Sequence, residues 1–285
     1  MYGTSFIFFF YGVRLNMQKL WHALSNWRMH MLVQSTTFVL FPLVALLLLP
    51  FFPEPHHTLW LGIFYLCALP STVSSSVVMV SIAGGNIPAA IFNASISTMI
   101  GVFLTPLWMI PFIQSTNSSV HSADIILKLI LQVMVPVVAG LLLHKRLGAF
   151  AEKYKKQLRY FDQGVILLII YSAFCHSFYT HAFDGYSILS LLYICIGSGA
   201  LFFLVFFIVK SISRLLKFNR EDSITVLFCG SKKSLVHGTV MSKVLFPASP
   251  AVSIILLPIM IYHALQLIFV SILAQQYSRH SKPNQ

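Results

Sequence analysis

The sequence predicts an all-α membrane protein of about nine helices, two of them interrupted at corresponding places, the pattern of an inverted repeat. Three observations carry this reading. The 285 residues are 57% hydrophobic and only 9% charged, with a mean hydropathy of +0.81, whereas soluble domains carry roughly 25% charged residues. The apolar runs are separated by segments whose Lys and Arg content alternates. Finally, two runs contain polar, helix-breaking stretches of similar composition.

A helix crosses a bilayer with roughly 20 apolar residues, and backbone groups in lipid must be satisfied within the segment. Runs of this kind lie at residues 1–13, 31–52, 58–80, 88–113, 124–144, 162–182, 186–209, 221–245 and 250–277. With no polar half to form a soluble unit, residues 1–285 read as a single transmembrane domain. Its first repeat covers 1–113 and its second 124–277.

The segments between the runs fix an orientation. Arg14, Lys19 and Arg28 follow the first run. Lys145, Arg146, Lys153, Lys155, Lys156 and Arg159 follow the fifth, Lys210, Arg214, Lys217 and Arg220 the seventh, and Arg279 and Lys282 lie in the tail. The segments "FPEPHH", "QSTNSSVHS", "FYTHAFDGY" and "FPASP" carry no Lys or Arg. Lys and Arg are retained on the cytoplasmic side, so the C-terminus is expected there, in a bacterial cytoplasmic (inner) membrane. The net charge of +12 is thereby explained without nucleic acid. His56, His57 and His181 fall on the outer side and need no functional role.

The first run, "MYGTSFIFFFYGV", is too short to cross comfortably and lacks the basic start and cleavage motif of a signal peptide. The reading that fits is a chain lacking one helix and part of the next. Cys67, Cys175, Cys195 and Cys229 lie in or beside apolar runs without zinc-type spacing, so packing is their default role, and no metal or cofactor is expected. There is no phosphate-binding glycine loop and no nucleophile elbow, which disfavours an enzyme.

The two interrupted runs read "LCALPSTVSSSVVMVSIAGGN" (66–86) and "LFCGSKKSLVHGTVM" (227–241). In the first, Pro70 precedes Ser71, Thr72 and the run Ser74, Ser75, Ser76. In the second, Gly230 precedes Ser231, Lys232, Lys233 and Ser234. Corresponding broken helices in two halves point to a secondary transporter whose breaks meet near the bilayer midplane. An odd number of helices per half inverts the second repeat, and five per half again asks for one helix before Met1.

Lys232 and Lys233 are the sharpest signal. A charge at the bilayer centre costs from about 2.5 to more than 10 kcal/mol, and both lysines sit too deep for easy snorkelling. The seven acids, Glu54, Asp124, Glu152, Asp162, Asp184, Glu221 and Asp222, all fall in linkers or at span ends. Two lysines without a carboxylate point to an external anion or to occupancy of a cation site. Asn93 and Ser97 are one turn apart and can share a face, although such residues often serve as glue between membrane helices. Gln34, Gln132, Gln163 and Gln266 read singly as packing residues, and His237 and His263 as weak candidates for a proton relay.

"LCALPSTVSSSVVMVSIAGGNIPAA", "EDSITVLFCGSKKSL", "MSKVLFP" and "LLPIMIYHALQL" together resemble the bile acid:sodium symporter superfamily, in the branch similar to solute carrier family 10 member 7. The resemblance extends over nearly the whole chain and implies ten helices in two inverted five-helix repeats, the fourth of each broken and crossing at the site. Sodium-coupled members carry a Glu, then Gln and Asn, in the second broken helix. Here Leu227 stands near the first, Ser231 at the second and Lys232 at the third. Their Ser-Asn pair becomes Ser74 to Ser76, and a Gln of the preceding helix becomes Thr37. With no carboxylate left, sodium coupling is not carried over, and a lysine ammonium takes the ion's place in a proton-coupled or uncoupled carrier.

The expected function is therefore a secondary transporter of a small or amphipathic organic anion. The substrate-binding residues would be Ser74, Ser75, Ser76, Asn93, Ser97, Ser231, Lys232, Lys233 and Ser234. Lys232 falls on the family position and is expected to face the crossing, with Lys233 about 100° round the helix. The alternative is a membrane regulatory protein of the same fold, without turnover, acting in calcium or glycan-related homeostasis.

Overall fold

The computed structural model describes residues 2–14, 26–51, 57–116, 127, 130–181, 188–246 and 251–279. Lys19, Glu54, His56, Asp124, Asp184, Pro247 and Lys282 lie outside them. Every regular element among the described residues is helical. In chain order these are α1 (Tyr2–Arg14), α2 (Trp27–Phe51), α3 (His57–Ala68), α4 (Ser74–Ala83), α5 (Ile87–Thr116) and α6 (Ile130–Leu142). There follow α7 (His144–Lys153), α8 (Lys155–Tyr179), α9 (Ile188–Leu215), α10 (Arg220–Gly230), α11 (Leu235–Leu245) and α12 (Val252–Arg279).

Among the described residues, five helices are long and apolar enough to cross a membrane, and six if the bent pair α6–α7 counts as one span. Three of the nine apolar runs are not among these helices for physical reasons. Helix α1 has 13 residues, and the two interrupted runs are divided into pieces of 12 and 10 residues and of 11 and 11 residues. Each piece is shorter than the roughly 20 residues a crossing needs.

Between helices in lipid, close packing of small residues and polar bonds replace the hydrophobic drive. At the α1–α6 contact, a Cβ added to Gly140 would strike the Phe9 carbonyl oxygen, and one added to Gly12 the Val137 carbonyl oxygen. Glycine is what allows those backbones to touch. Helix α12 runs through the centre, packing on α3, α4 and α9, with Tyr262 fully buried against Phe41 and Phe202.

The segment read as a basic linker after the fifth run is largely helix α7, which turns 94° away from α6. Its buried or half-buried face is His144, Leu147, Gly148 and Ala151, an i, i+3, i+4, i+7 stripe that the interleaved basic residues conceal in the sequence. The His144 ring donates through Nδ1 to the Val13 carbonyl at 2.6 Å, which pins the elbow to the end of α1.

One carboxylate ties three elements together. Asp222, only 6% exposed, accepts from Asn26 Nδ2 at 2.7 Å and from Asn86 Nδ2 at 2.9 Å. Its own N–H donates to Asn219 Oδ1 at 2.7 Å, the N-cap of α10. The start of α2, the α4–α5 turn and the start of α10 are thus held by a fully bonded buried acid.

Candidate functional site

A helix leaves its last carbonyls without intrahelical partners, and α3 ends inside the protein because Pro70 has no N–H to continue it. Four consecutive carbonyls at this end find donors elsewhere. Cys67 O and Leu69 O accept from Lys233 Nζ at 2.6 and 2.8 Å. Ala68 O accepts from Thr105 Oγ1 at 2.8 Å, and Pro70 O from Ser234 N at 2.9 Å. Close approach of α5 also requires Gly101, where a Cβ would lie 2.7 Å from the Pro70 ring.

The third partner of Lys233 comes from α2. Residues Thr36–Leu40 form a π turn, in which the Phe41 N–H bonds Thr36 O, and the next residue, Pro42, has no N–H to offer. The carbonyls of Thr37 and Phe38 are therefore released. Trp108 Nε1 donates to Phe38 O at 3.0 Å, and Lys233 Nζ to Thr37 O at 2.8 Å. With three N–H donors and three carbonyl acceptors the ammonium is satisfied. It also lies 4.2 Å from the centroid of the Phe41 ring, a cation–π contact. The C-terminal end of α3 contributes its negative dipole to the same charge.

The second break packs on the first. Ser71 Oγ donates to Cys229 O at the end of α10, at 2.6 Å, and Ser234 N donates to Pro70 O just past the end of α3. Ser71 N donates to Ser97 Oγ at 2.9 Å. Gln266 on α12 holds the backbone of Lys233 from both sides, accepting from its N–H at 2.9 Å and donating to its carbonyl at 2.8 Å. Tyr262 OH donates to Ser231 O at 2.8 Å. Ser234 caps α11, its Oγ accepting from His237 N at 3.3 Å.

Lys232 is different. It is as fully enclosed as Lys233, both being 0% exposed, yet its Nζ has no hydrogen-bond partner among the described residues. The Cys229 thiol and the His263 imidazole are ionisable neighbours close enough to interact with it. A buried amino group without an acceptor is costly; among the described residues His237 Nε2 and Thr239 Oγ1, on the following helix, are also buried without a partner, but Lys232 is the one of these whose ordinary form carries a full positive charge to meet an anion.

The remaining predicted residues divide. Ser97, Ser231 and Ser234 are at the crossing, buried. Asn93 is buried but bonded to Ala89 O and approached by Gln34 Nε2, so it joins α5 to α2. Ser75 and Ser76 share the Thr72 hydroxyl at 2.8 and 2.9 Å, while Ser74 is exposed. The sequence favours Lys232 for the place of the ion, whereas it is Lys233 that fills the carbonyl set. The reason is local: residues 231–234 are not helical, so the 100° offset of adjacent residues does not apply there. Sequence reasoning does not single out Thr105, Tyr262, Gln266 or the Thr37 carbonyl as site groups; Pro42 inside an apolar run is the available signal for released carbonyls on α2. No three His, Cys, Asp or Glu side chains gather among the described residues.

Comparison with known proteins follows the same lines. The model of the SBF-like CPA transporter family (DUF4137) matches residues 1–279. An uncharacterized Pseudomonas aeruginosa protein is 42% identical over 278 residues, which is 97% of this chain and 83% of that protein. Escherichia coli YfeH, named as a candidate symporter, is 36% identical over 281 residues, 98% of this chain and 84% of its own. The Danio rerio protein named sodium/bile acid cotransporter 7 is 33% identical over 275 residues, 95% and 81% of the two chains.

Proposed function

The chain belongs to the SBF-like CPA transporter family, a family of membrane transporters, and from this premise we propose that it moves a small or amphipathic organic anion without sodium. The observation that carries the proposal is the pair of buried lysines at the crossing of the two interrupted helices. Lys233 fills a cradle of three carbonyl oxygens, the ligand type a sodium ion would use. Lys232 is left to face an anion.

A cation about 4 Å from an ammonium is repelled by about 4 kcal/mol at an effective dielectric of 20, nearly a thousandfold in affinity. The corresponding breaks after Pro70 and Gly230, joined by the bonds Ser71 to Cys229 and Ser234 to Pro70, support a single domain made of two inverted repeats, residues 1–113 and 124–277. Both lysines are closed off from solvent in this conformation, so release of substrate requires the crossing to open.

The test is ligand binding by the purified protein, screened with organic anions by thermal stabilisation in sodium and in choline buffer. Equal binding in the two is expected. A strong sodium requirement would overturn the assignment of the lysines to the ion's place, and no binding of any anion by folded protein would favour the regulatory alternative. The alternating basic segments further support a cytoplasmic C-terminus. In a chain freed of its other cysteines, a cysteine at position 57 should then react with an impermeant reagent from outside and one at position 155 should not; equal reaction would reverse this.

A further inference from the structure

We propose that the elbow between α6 and α7 is a binding site for an anionic phospholipid of the adjoining leaflet, with the headgroup on α7 and one acyl chain in a groove between α1 and α8. Two independent features meet there. Helix α7 turns 94° from α6, so with α6 crossing the bilayer α7 lies along its surface. Its outward side carries Lys145, Arg146 and Lys153, all exposed, against the single acid Glu152. Lys156, at the start of α8, is exposed beside them.

The second feature is a groove of about 460 Å³, lined by Phe6 and Phe10 of α1, Phe150 of α7, Tyr154, and Gln157, Leu158 and Phe161 of α8. That volume falls within the range of sites that hold small ligands, about 300–1,000 Å³. Its direction matters more than its size. Val13 is level with α7, because its carbonyl holds His144. Phe10 and Phe6 stand three and seven residues back along α1, about 4.5 and 10.5 Å further into the bilayer at 1.5 Å per residue. The groove therefore runs from a basic, interfacial helix into the hydrocarbon, the shape of a chain below a charged headgroup.

The aromatic rings along the groove are paired. Phe150 and Tyr154 pack on each other at 4.7 Å between centroids, and Lys153 Nζ lies 5.5 Å from the Tyr154 ring, which places an ammonium beside a lining residue. Phe6 and Phe10 pair on α1 at 6.4 Å. Interfacial aromatics beside basic residues suit a ligand whose two ends differ in polarity.

Delipidated full-length protein in neutral detergent would be given equal amounts of dioleoyl phosphatidylglycerol and dioleoyl phosphatidylcholine, and bound lipid counted by native mass spectrometry. Phosphatidylglycerol should be retained in preference. A basic residue near an anionic headgroup contributes about fivefold in binding, so Lys153→Gln/Lys156→Gln should cut the preference about 25-fold. Leu158→Trp, which fills the groove, should reduce retention of both lipids, and glycerol phosphate without acyl chains should not bind. Equal retention of the two lipids by the unaltered protein, an unchanged preference in the lysine variant, or binding of glycerol phosphate alone would each overturn the proposal. Both lysines are exposed and the variants should elute as the unaltered protein does. Anion transport is not the readout, so failure of the transport reading leaves this result standing.

Discussion

Replacing Lys233 by methionine lowers the stability of the purified protein by about 3 kcal/mol or more, whereas the same replacement at Lys232 raises it. Methionine keeps most of the length and removes the charge. At Lys233 it strips the donor from the carbonyls of Thr37, Cys67 and Leu69, and a buried acceptor left unsatisfied costs about 1–3 kcal/mol. The saving from no longer burying a charge offsets part of this, but three orphaned carbonyls outweigh it. At Lys232 there is no acceptor to lose, so only the saving remains, on the order of 1 kcal/mol or more. Unfolding of the two variants in one detergent and one salt measures both. Equal losses would mean that the ammonium of Lys233 is not what holds the crossing.

The same Lys232→Met variant, though more stable, is expected to lose organic-anion binding by about a hundredfold. A hydrogen bond to a charged group contributes about 1.5–3 kcal/mol, and 3 kcal/mol corresponds to about two powers of ten. Lys232→Arg keeps the charge and should retain part of the affinity, its fork being a different shape from an ammonium. Titration of the best anion from the stabilisation screen against all three proteins decides it; unchanged affinity in Lys232→Met would remove Lys232 from the site. Stability gained where function is lost is the expected signature of a strained functional group.

Much of this is legible in the sequence, and the part that is not has a physical cause. Two interrupted runs with Pro70 and Gly230 at their breaks stand out in any apolar sequence, and so do two lysines with no acid in reach. What a linear reading lacks is the conformation of the break. Once Ser231 to Ser234 leave the helix, neighbouring side chains no longer diverge by a fixed angle, and the roles of Lys232 and Lys233 are set by which backbone carbonyls happen to be free across the crossing. Those carbonyls belong to residues far away in sequence. Thr37 O is released at Pro42 and Leu69 O because α3 ends before Pro70, so proline positions are the legible half of the cradle. The serine run divides: hydroxyls in a break are engaged, as Ser71 is, while Ser74 has already turned outward on the first turn of α4. Helix α7 was hidden for the opposite reason, since six basic residues between 145 and 159 dominate a pattern whose buried stripe is only four residues.

The shortness of the broken pieces bears on biogenesis. Helices α10 and α11 have 11 residues each, about 16 Å at 1.5 Å per residue, against a hydrocarbon layer of about 30 Å. Neither can enter a bilayer as an independent hairpin arm, and the segment joining them carries two ammonium groups. The oxygens that make Lys233 tolerable belong to α2 and to the end of α3, which leave the ribosome more than 150 residues earlier. The late helices must therefore be received by an already folded early half, so a lesion in α2 or α3 should appear in the cell as failed membrane integration of the C-terminal portion.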